Sequence, residues 1–184
     1  MPEAAERALI SVATAYRYFS TAEDLWWEAS AAAVDFHGAM TESYEQIDAV
    51  GTDPRARLET LIRSFGFWTI EDQIPSRQMA KFALDQWLRQ ADSPDAERVP
   101  NRQGRRNELI EQVLAPLRDS MSNNDIDRIA HALGLVVGIE AMIALTDAVG
   151  LDEPTAKQAL LDASRWMLAG ALDELTQDEL TQEG

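Results

Sequence analysis

Cysteine is absent from this sequence of 184 residues, which excludes disulfides, thiolate metal sites and cysteine nucleophiles. Histidine is scarce, because His37 and His131 are the only two, and neither has a nearby residue at metal-ligand spacing. No apolar run is long enough to cross a membrane, and the start of the chain lacks the basic-then-apolar pattern of a secretory signal. Together these absences favour a cytoplasmic protein.

Positive charge is also in short supply, since 16 Lys and Arg residues stand against 32 Asp and Glu residues, for a net charge of −16. Proteins gain most of their affinity for nucleic acids from Lys and Arg on phosphates. The overall charge therefore argues against nucleic-acid binding unless a local basic patch provides it. Arg102, Arg105 and Arg106 form the one basic cluster. They begin a helix beside a loop, where pairing with local acids is the simpler interpretation and an anion or DNA contact is the alternative.

Catalytic motifs are missing as well. The sequence has no glycine-rich phosphate-binding loop and no nucleophile elbow. Its Asp and Glu residues fall mostly on the polar faces of predicted helices, where charge is ordinarily solvated. We therefore expect no enzymatic activity, no catalytic or metal-binding residues and no cofactor.

Helical periodicity dominates what is present. Apolar residues recur at three- and four-residue steps, as in amphipathic helices, and no stretch alternates with the period of two that is typical of strands. The segments with this helical pattern are 22–36, 54–70, 75–90 and 107–118. Proline and glycine mark a loop over 91–104. The sequence therefore predicts an all-α fold.

Two longer helices are predicted near the C-terminus. The first spans 124–149, with Asn124 or Asp125 as its expected N-cap. The second spans 152–175, with Asp152 as its expected N-cap. Because the connection between them is short, they are expected to form an antiparallel hairpin.

The first helix of this hairpin contains the sequence ALGLVVGIEAMIAL over 132–145, which is apolar nearly all round. A helix of that kind is buried on two sides, and one side packs on the chain's own core. A second copy of the chain is the economical partner for the other side, which predicts a homodimer built from two hairpins. The alternative is a fully buried central helix in a monomer. Glu140 within this sequence must be paired, hydrogen-bonded or protonated.

The N-terminal segment has a different pattern, reading SVATAYRYFSTAEDLWWE over 11–28. Ser11 is a good N-cap for a helix of about two turns, in which Ala15 and Phe19 face inward. Ser20 or Thr21 is expected to cap the next helix.

The outer face of that short helix carries hydroxyl, phenol and arginine groups, which suit contacts with phosphates and grooves. Thr14, Arg17 and Tyr18 share this face, with Ala13 and Tyr16 beside them. Another short helix is predicted just before it, over 3–9. A helix, a tight turn and a second helix follow one another in DNA-reading modules.

This N-terminal run resembles the recognition helix and the following helix of the tetracycline-repressor (TetR) family of transcriptional regulators. The residues that carry the resemblance are Ser11, Thr14, Tyr16, Tyr18, Phe19, Glu23, Asp24 and Leu25. Segments 105–118 and 134–150 and the region of Trp166 are more diffusely similar to the family's C-terminal domain. The resemblance implies a helix-turn-helix DNA-binding domain over 1–36 and a ligand-binding and dimerisation domain over 37–184.

The function implied by the resemblance is that of a homodimeric transcriptional repressor, which a small hydrophobic effector releases from or retunes on its double-stranded DNA operator. The implied base-edge contacts come from Val12, Ala13 and Tyr16, and the implied phosphate contacts come from Thr14, Arg17 and Tyr18. As an alternative, these aromatic residues merely pack a small helical subdomain. The chain would then be a dimeric small-molecule-binding or interaction protein that has lost DNA binding.

Three departures from the family pattern concern DNA binding. Only two residues precede the helix over 3–9, where the family has a whole helix that covers the small domain. Leu9 stands where the turn usually carries glycine, which tolerates positive φ, and Ala22 stands where a lysine often donates to a phosphate. Residues 1–25 hold two basic and four acidic residues, a net charge of −2. Either the start codon is assigned too late, which we favour, or the protein is a reduced member of the family.

The effector site is expected among the middle helices of the C-terminal domain. Ligand pockets are mostly apolar with a few polar groups. The candidate residues are Phe65, Trp68, Met79, Phe82, Trp87 and His131. Aromatic stripes at helical spacing are more often plain core, and a single histidine is more often hydrogen-bonded in a core or an interface.

Overall fold

The fold was analysed in a computed structural model. It describes residues 1–22, 24–26, 28–29, 39–92, 94 and 105–182. These residues are overwhelmingly helical and contain no strand, which confirms the all-α prediction. The second half of the helix predicted over 22–36, most of the loop predicted over 91–104, and His37 lie outside the described residues.

The described residues form ten α-helices. The first five are α1 (Pro2–Arg7), α2 (Val12–Tyr18), α3 (Ala39–Ala49), α4 (Pro54–Leu61) and α5 (Phe67–Glu71). The others are α6 (Gln73–Arg89), α7 (Arg105–Leu114), α8 (Asn123–Leu133), α9 (Ile139–Ile143) and α10 (Glu153–Gln182). A π-helical turn, Ile62–Gly66, joins α4 to α5, so the helix predicted over 54–70 is continuous but locally widened. A second π-helical turn, Ala144–Ala148, extends α9, and a 3₁₀ turn, Ala115–Asp119, extends α7.

Side-chain caps set several helix starts. Ser11 caps α2 and Asp152 caps α10, as predicted, because their side-chain oxygens accept the backbone N–H groups of Thr14 and Thr155, each at 3.0 Å. The predicted cap of α8 was wrong. Ser122, rather than Asn124 or Asp125, caps this helix by accepting the backbone N–H of Asp125 at 3.2 Å.

The helix predicted over 124–149 is interrupted after α8. Turns occupy 134–138, and Gly138 adopts φ +148, a conformation that is open to glycine and strained for other residues. A Cβ at Gly138 would lie 2.8 Å from the guanidinium nitrogen Nη1 of Arg106. The apolar sequence predicted a continuous helix here. Instead the helix breaks at Gly138, where Arg106 lies close to a backbone position that has no side chain.

The core lies where α10 packs against α4, α5, α8 and α9. The largest fully buried side chains are Ile47, Leu58, Leu61, Ile62, Ile70, Leu109, Ile110, Leu114, Ile126, Ile129, Leu133 and Met142. Most of them fall on the apolar faces that the sequence pattern identified, so periodicity located the core. Within the described residues, no helix is both long and apolar enough to cross a membrane.

One buried charged residue, Arg57, connects α3, α4 and α7. Arg57 is almost completely buried, and it donates to the backbone oxygens of Gly51 at 2.7 Å and Gln112 at 2.9 Å. It also pairs with Asp48 at 2.7 Å. A buried guanidinium needs such partners, because desolvation without them would be costly.

Candidate nucleic-acid interface and effector region

The turn between α1 and α2 is a Schellman motif with a leucine in the left-handed position. The Ile10 N–H donates to the Ala5 oxygen at 3.0 Å, and the Leu9 N–H donates to the Glu6 oxygen at 3.1 Å. Leu9 itself has φ +56. Among the described residues, it is the only non-glycine residue with a positive φ. Leucine at the position where the family usually carries glycine therefore does not distort the turn, because both hydrogen bonds and the left-handed conformation are present.

The two helices on either side of the turn approach through small side chains. Ala5 in α1 and Ala15 in α2 are both buried, whereas Phe19 after α2 is half-buried. Ala15 faces inward as predicted, and Phe19 does so only in part. Small residues at the contact let two short helices pack closely without a large apolar core.

The face of α2 that points away from α1 presents most of the predicted DNA contacts together. Val12, Ala13, Tyr16, Arg17 and Tyr18 are exposed. The Arg17 guanidinium lies 5.3 Å from the centroid of the Tyr18 ring, within the range of a cation–π interaction. This contact holds a donor group and a phenol side by side on the exposed face.

Thr14 differs from the other predicted DNA contacts. Its side chain is half-buried, and its hydroxyl lies 2.8 Å from the Ser11 hydroxyl. Its backbone N–H donates to the same Ser11 oxygen at 3.0 Å. Thr14 is therefore engaged in the cap of α2, so a phosphate contact would have to share or replace that hydrogen bond.

Thr21 and Asp24, which follow α2, form a reciprocal capping arrangement. The Asp24 N–H donates to the Thr21 hydroxyl at 3.0 Å, and the Thr21 N–H donates to the Asp24 carboxylate at 2.9 Å. Of the two expected caps, Thr21 is the one used. Because Asp24 is engaged in this cap, its negative charge is fixed close to α2.

Among the predicted effector residues, Phe65 and Trp68 lie together. Their ring centroids are 6.1 Å apart, and both side chains are half-buried. Met79 and Phe82 on α6 are half-buried as well. These side chains supply apolar surface next to the core rather than at its fully buried centre.

Trp87 and His131 do not share that environment. Trp87 is exposed near the end of α6, and His131 is exposed on α8. A contact between either side chain and an effector held in the interior would require a rearrangement. The sequence pattern placed both on helices correctly but did not distinguish an interior face from an outer one.

Ser76 is a polar residue in this region that sequence reasoning missed. Its side chain is fully buried in the first turns of α6, and its Oγ has no hydrogen-bond partner among the described residues. Buried hydroxyls nearly always have partners. The sequence offered one signal, because Ser76, Ala80 and Ala83 form a stripe of small residues at helical spacing, and all three are buried.

The ion pair between Glu140 and Arg106 bears on two points that the sequence left open, namely the environment of Glu140 and the role of the basic cluster. Glu140 is exposed, and its carboxylate lies 3.2 Å from the Arg106 guanidinium. The carboxylate is therefore paired and close to solvent. Arg106 pairs with a nearby acid, as the simpler interpretation of the basic cluster expected, while Arg102 lies outside the described residues.

Large apolar side chains are exposed on the hairpin formed by α8, α9 and α10. Leu135 just after α8 is 72% exposed and Trp166 on α10 is 73% exposed. Gly170 lies one turn beyond Trp166, and a Cβ built there would meet nothing within 4 Å. Leu135 and Trp166 are therefore large apolar side chains that the chain's own fold leaves uncovered.

Comparison with known proteins finds no match, either to a protein-family model, to a curated protein or to a solved structure. In the described part of the chain, no group of three or more histidine, aspartate or glutamate side chains is arranged to hold a metal ion.

Proposed function

We propose that this chain is a homodimeric, ligand-responsive DNA-binding transcriptional regulator of the TetR type, acting as a repressor. The observation that carries the proposal is the succession of α1, a turn with a left-handed residue and α2, which we interpret as a helix-turn-helix. In such modules the second helix enters the major groove and its exposed side chains read base edges. Tyr16, Arg17 and Tyr18 are exposed on that helix, and the resemblance of the run around them to TetR recognition helices supports the same role.

Selection from a random pool of 30-base-pair duplexes, using the full chain at low salt, tests DNA binding even though the operator sequence is not known. A homodimer should enrich an inverted repeat whose half-sites lie about one helical turn, roughly 10 base pairs, apart. Arg17→Gln should weaken binding to every sequence and reduce the slope of log K against log salt by about one phosphate contact. Tyr16→Ala should instead relax the sequence preference of the enriched half-site.

Arg55→Gln provides a matched control, because Arg55 is an exposed cation on α4 and lies outside the helix-turn-helix. Its removal should leave the salt slope unchanged. A pool that shows no enriched sequence after selection, or an Arg17 variant with the salt slope of the original chain, would contradict DNA recognition through α2.

The proposed homodimer uses the outer face of the hairpin. Arg128 on α8 pairs with Glu174 on α10 at 3.1 Å, so the two helices lie beside each other. Trp166 lies about two helical turns before Glu174 on α10, and Leu135 lies in the turn that follows α8. Two copies of this face related by a two-fold axis would bring each Trp166 close to the open position at Gly170 of the other copy.

Sedimentation velocity tests this dimer. Trp166→Glu should convert a dimer to a monomer, because a buried unpaired carboxylate at an interface is strongly unfavourable. Trp87→Glu is the matched control, since Trp87 is also exposed but lies on α6 rather than on α8 or α10. Equal masses for the two variants would contradict dimerisation through the hairpin.

The proposed effector is a small, largely hydrophobic molecule that binds beside Phe65, Trp68, Met79 and Phe82. Thermal unfolding with a panel of aromatic and aliphatic compounds should identify binders by a rise in Tm. Met79→Ala should reduce that rise more than Trp87→Ala does. The coupling must be reciprocal, so an effector that weakens DNA binding by a given factor must itself bind more weakly by that factor when DNA is present. Effector binding that is unaffected by DNA would contradict ligand-responsive regulation.

A second function is favoured by charge. Residues 1–25 carry a net charge of −2 and the chain carries −16, whereas DNA affinity depends on cations that replace counterions on phosphates. The chain would then be a dimeric small-molecule-binding or interaction protein that has lost DNA binding. The experiments above distinguish the two functions. A protein that has lost DNA binding should still form a dimer and show a rise in Tm with an effector, but it should enrich no DNA duplex.

A further inference from the structure

Ser76 is fully buried, and its hydroxyl has no hydrogen-bond partner. Its Oγ is the one buried side-chain nitrogen or oxygen atom among the described residues that makes no hydrogen bond. A buried hydroxyl without a partner is unfavourable, because it has lost its hydrogen bonds to water and gained none in return. Such groups are rare in native folds, and a bound molecule that accepts the hydrogen bond is one explanation for them.

Two other buried hydroxyls in this chain are satisfied by their own helices. Thr69 and Ser164 each donate to a backbone oxygen three positions earlier, at 2.7 Å and 2.8 Å. Serine within a helix ordinarily bonds to a carbonyl three or four positions earlier. For Ser76 those positions lie at the very start of α6, and Asp72, four positions earlier, is not helical, with φ −106 and ψ 67. The Ser76 hydroxyl is therefore able to donate to a group outside its own helix.

The buried face of α6, on which Ser76 lies, is otherwise apolar. Ala80 and Ala83 are buried on it, and Met79, one turn from Ser76, is half-buried. This helix contacts α5 and α9, which also contact each other. Ligand sites are lined mostly by apolar side chains with few polar groups, and methionine adapts its shape easily because it is unbranched and flexible. The junction of α5, α6 and α9 therefore has the composition of a ligand site with a single polar group.

Both π-helical turns described above adjoin this junction. Ile62–Gly66 leads directly into α5, and Ala144–Ala148 follows α9. Arg77 connects α6 to the second of these turns, since it donates to the Thr146 hydroxyl at 3.0 Å and to the Asp147 carboxylate at 2.6 Å. Such turns interrupt regular helix geometry and occur frequently at functional sites. They are a second observation, independent of the Ser76 hydroxyl, that marks this junction.

We propose that Ser76 is the polar anchor of the effector site and that its hydroxyl donates a hydrogen bond to the carbonyl oxygen of a neutral, largely apolar ligand. This anchor rests on the ligand-responsive function proposed above and defines the chemical class of the effector. The apolar part of the ligand would lie against Met79 and the neighbouring apolar side chains of the junction.

The number of donors favours a carbonyl compound over an alcohol. A serine hydroxyl has one hydrogen to donate and a carbonyl oxygen has none, so the pair forms one hydrogen bond and leaves no donor unpaired. An alcohol would bring a second O–H group into an apolar site, where it would lack a partner. A buried water is also a poorer fit, because it needs about two to four polar partners.

The charges beside Ser76 favour a neutral ligand over an ionised acid. Arg77, the next residue, donates to both carboxylate oxygens of Asp147, each at 2.6 Å. Its charge is therefore already neutralised, and Asp147 would repel a second carboxylate. Burial of an ionised carboxylate without a cation is strongly unfavourable.

The test uses the full chain and three matched probes, acetophenone, ethylbenzene and benzoate. Their naphthalene analogues, 2-acetylnaphthalene, 2-ethylnaphthalene and 2-naphthoate, extend the series to a larger site. Isothermal titration calorimetry and the rise in Tm measure binding. Each ketone should bind about fivefold more tightly than its hydrocarbon, because only the ketone pairs the Ser76 hydroxyl. Each acid should bind more weakly than its ketone, because its charge would be buried without a cation.

Ser76→Ala assigns this preference to the hydroxyl. The variant should bind the hydrocarbon at least as tightly as the ketone, whose oxygen would then be buried without a donor. Without any ligand, its Tm should rise by about 2–4 °C, because an unpaired buried hydroxyl has been removed. Ser164→Ala is the matched control, since Ser164 is an equally buried helical serine that has a partner. It should keep the preference for ketones and should not raise the Tm.

The possible failures separate the anchor from the effector function itself. Equal binding of ketone and hydrocarbon, or a preference for ketones that survives Ser76→Ala, would overturn the anchor and leave a hydrophobic effector site in place. A lower Tm for Ser76→Ala without ligand would also overturn it, because the hydroxyl would then have a partner in the folded chain. Tighter binding of the acids would refute the neutral class of ligand. Binding of none of the six probes would contradict the hydrophobic effector, and the anchor would fail with it.

Discussion

Replacement of Leu9 by glycine should stabilise the turn between α1 and α2. Leu9 has φ +56 and is the left-handed residue of a Schellman motif. Its side chain is 93% exposed, so truncation removes almost no buried apolar area. The substitution therefore isolates the backbone conformation from side-chain packing, which is rarely possible at a single position.

The magnitude follows from two opposing effects. A left-handed conformation costs an ordinary L-residue roughly 1–2 kcal/mol. Glycine avoids this cost but loses about 0.5–1 kcal/mol more conformational entropy on folding. The difference predicts a net stabilisation of about 0.5–1 kcal/mol, which corresponds to a two- to fivefold smaller opening equilibrium.

Native-state hydrogen exchange measures this opening directly. The Ile10 amide donates to the Ala5 oxygen across the turn at 3.0 Å, so its exchange should slow two- to fivefold in Leu9→Gly. Leu9→Asn should give an intermediate effect, because asparagine tolerates positive φ better than leucine. Leu9→Ala should change little, since alanine keeps the strain. If alanine slows exchange as much as glycine, or if glycine accelerates it, the argument from backbone strain is refuted.

Three further predictions concern the body of the fold. Gly138→Ala should lower the free energy of unfolding by roughly 2–3 kcal/mol in a denaturant titration, because its Cβ would lie 2.8 Å from the Arg106 guanidinium. Gly150 has φ +78 but open space around it, so Gly150→Ala should lower the free energy of unfolding by only about 1 kcal/mol. Arg57→Met should lose about 2–3 kcal/mol in the same assay, because two backbone oxygens lose a charged donor. Arg57 holds the pKa of Asp48 below its ordinary value of 3.8, so Asp48 contributes stability that is present above pH 3.8 and lost as the pH falls through its lowered pKa. Asp48→Asn should therefore make unfolding less dependent on pH below about 4, and an unchanged dependence would contradict this role.

The parts of the fold that the sequence predicted are those determined by contacts within one or two helical turns. Ser11, Thr21 and Asp152 were expected as caps, and each accepts a backbone N–H of its own first turn. The resemblance to the TetR family drew attention to Leu9, because the family usually carries glycine at this position of the turn, and Leu9 adopts φ +56. Apolar periodicity located the core for the same reason, since each helix face is visible in its own sequence.

Apart from the cap of α8, which Ser122 provides within its own first turn, the parts that the sequence did not predict depend on contacts between distant segments. The break at Gly138 accompanies the approach of Arg106, which lies 32 positions earlier in the chain. Burial of Arg57 depends on a carbonyl group at Gln112, 55 positions away. The outward positions of Trp87 and His131 depend on which side of a helix its neighbours cover. The periodicity of the sequence cannot show which side of a helix is covered when apolar residues lie on both of its faces, as they do on α6.

Charge bears directly on the role proposed for α1 and α2. Residues 1–25 carry a net charge of −2, and DNA affinity grows with the number of neutralised phosphates. If α2 reads DNA, its binding energy must come mainly from base-edge and shape complementarity, with unusually weak salt dependence. The slope of log K against log salt, measured for the selected duplex, therefore discriminates between a DNA-binding module that works with few cations and a helix pair retained only as part of the fold.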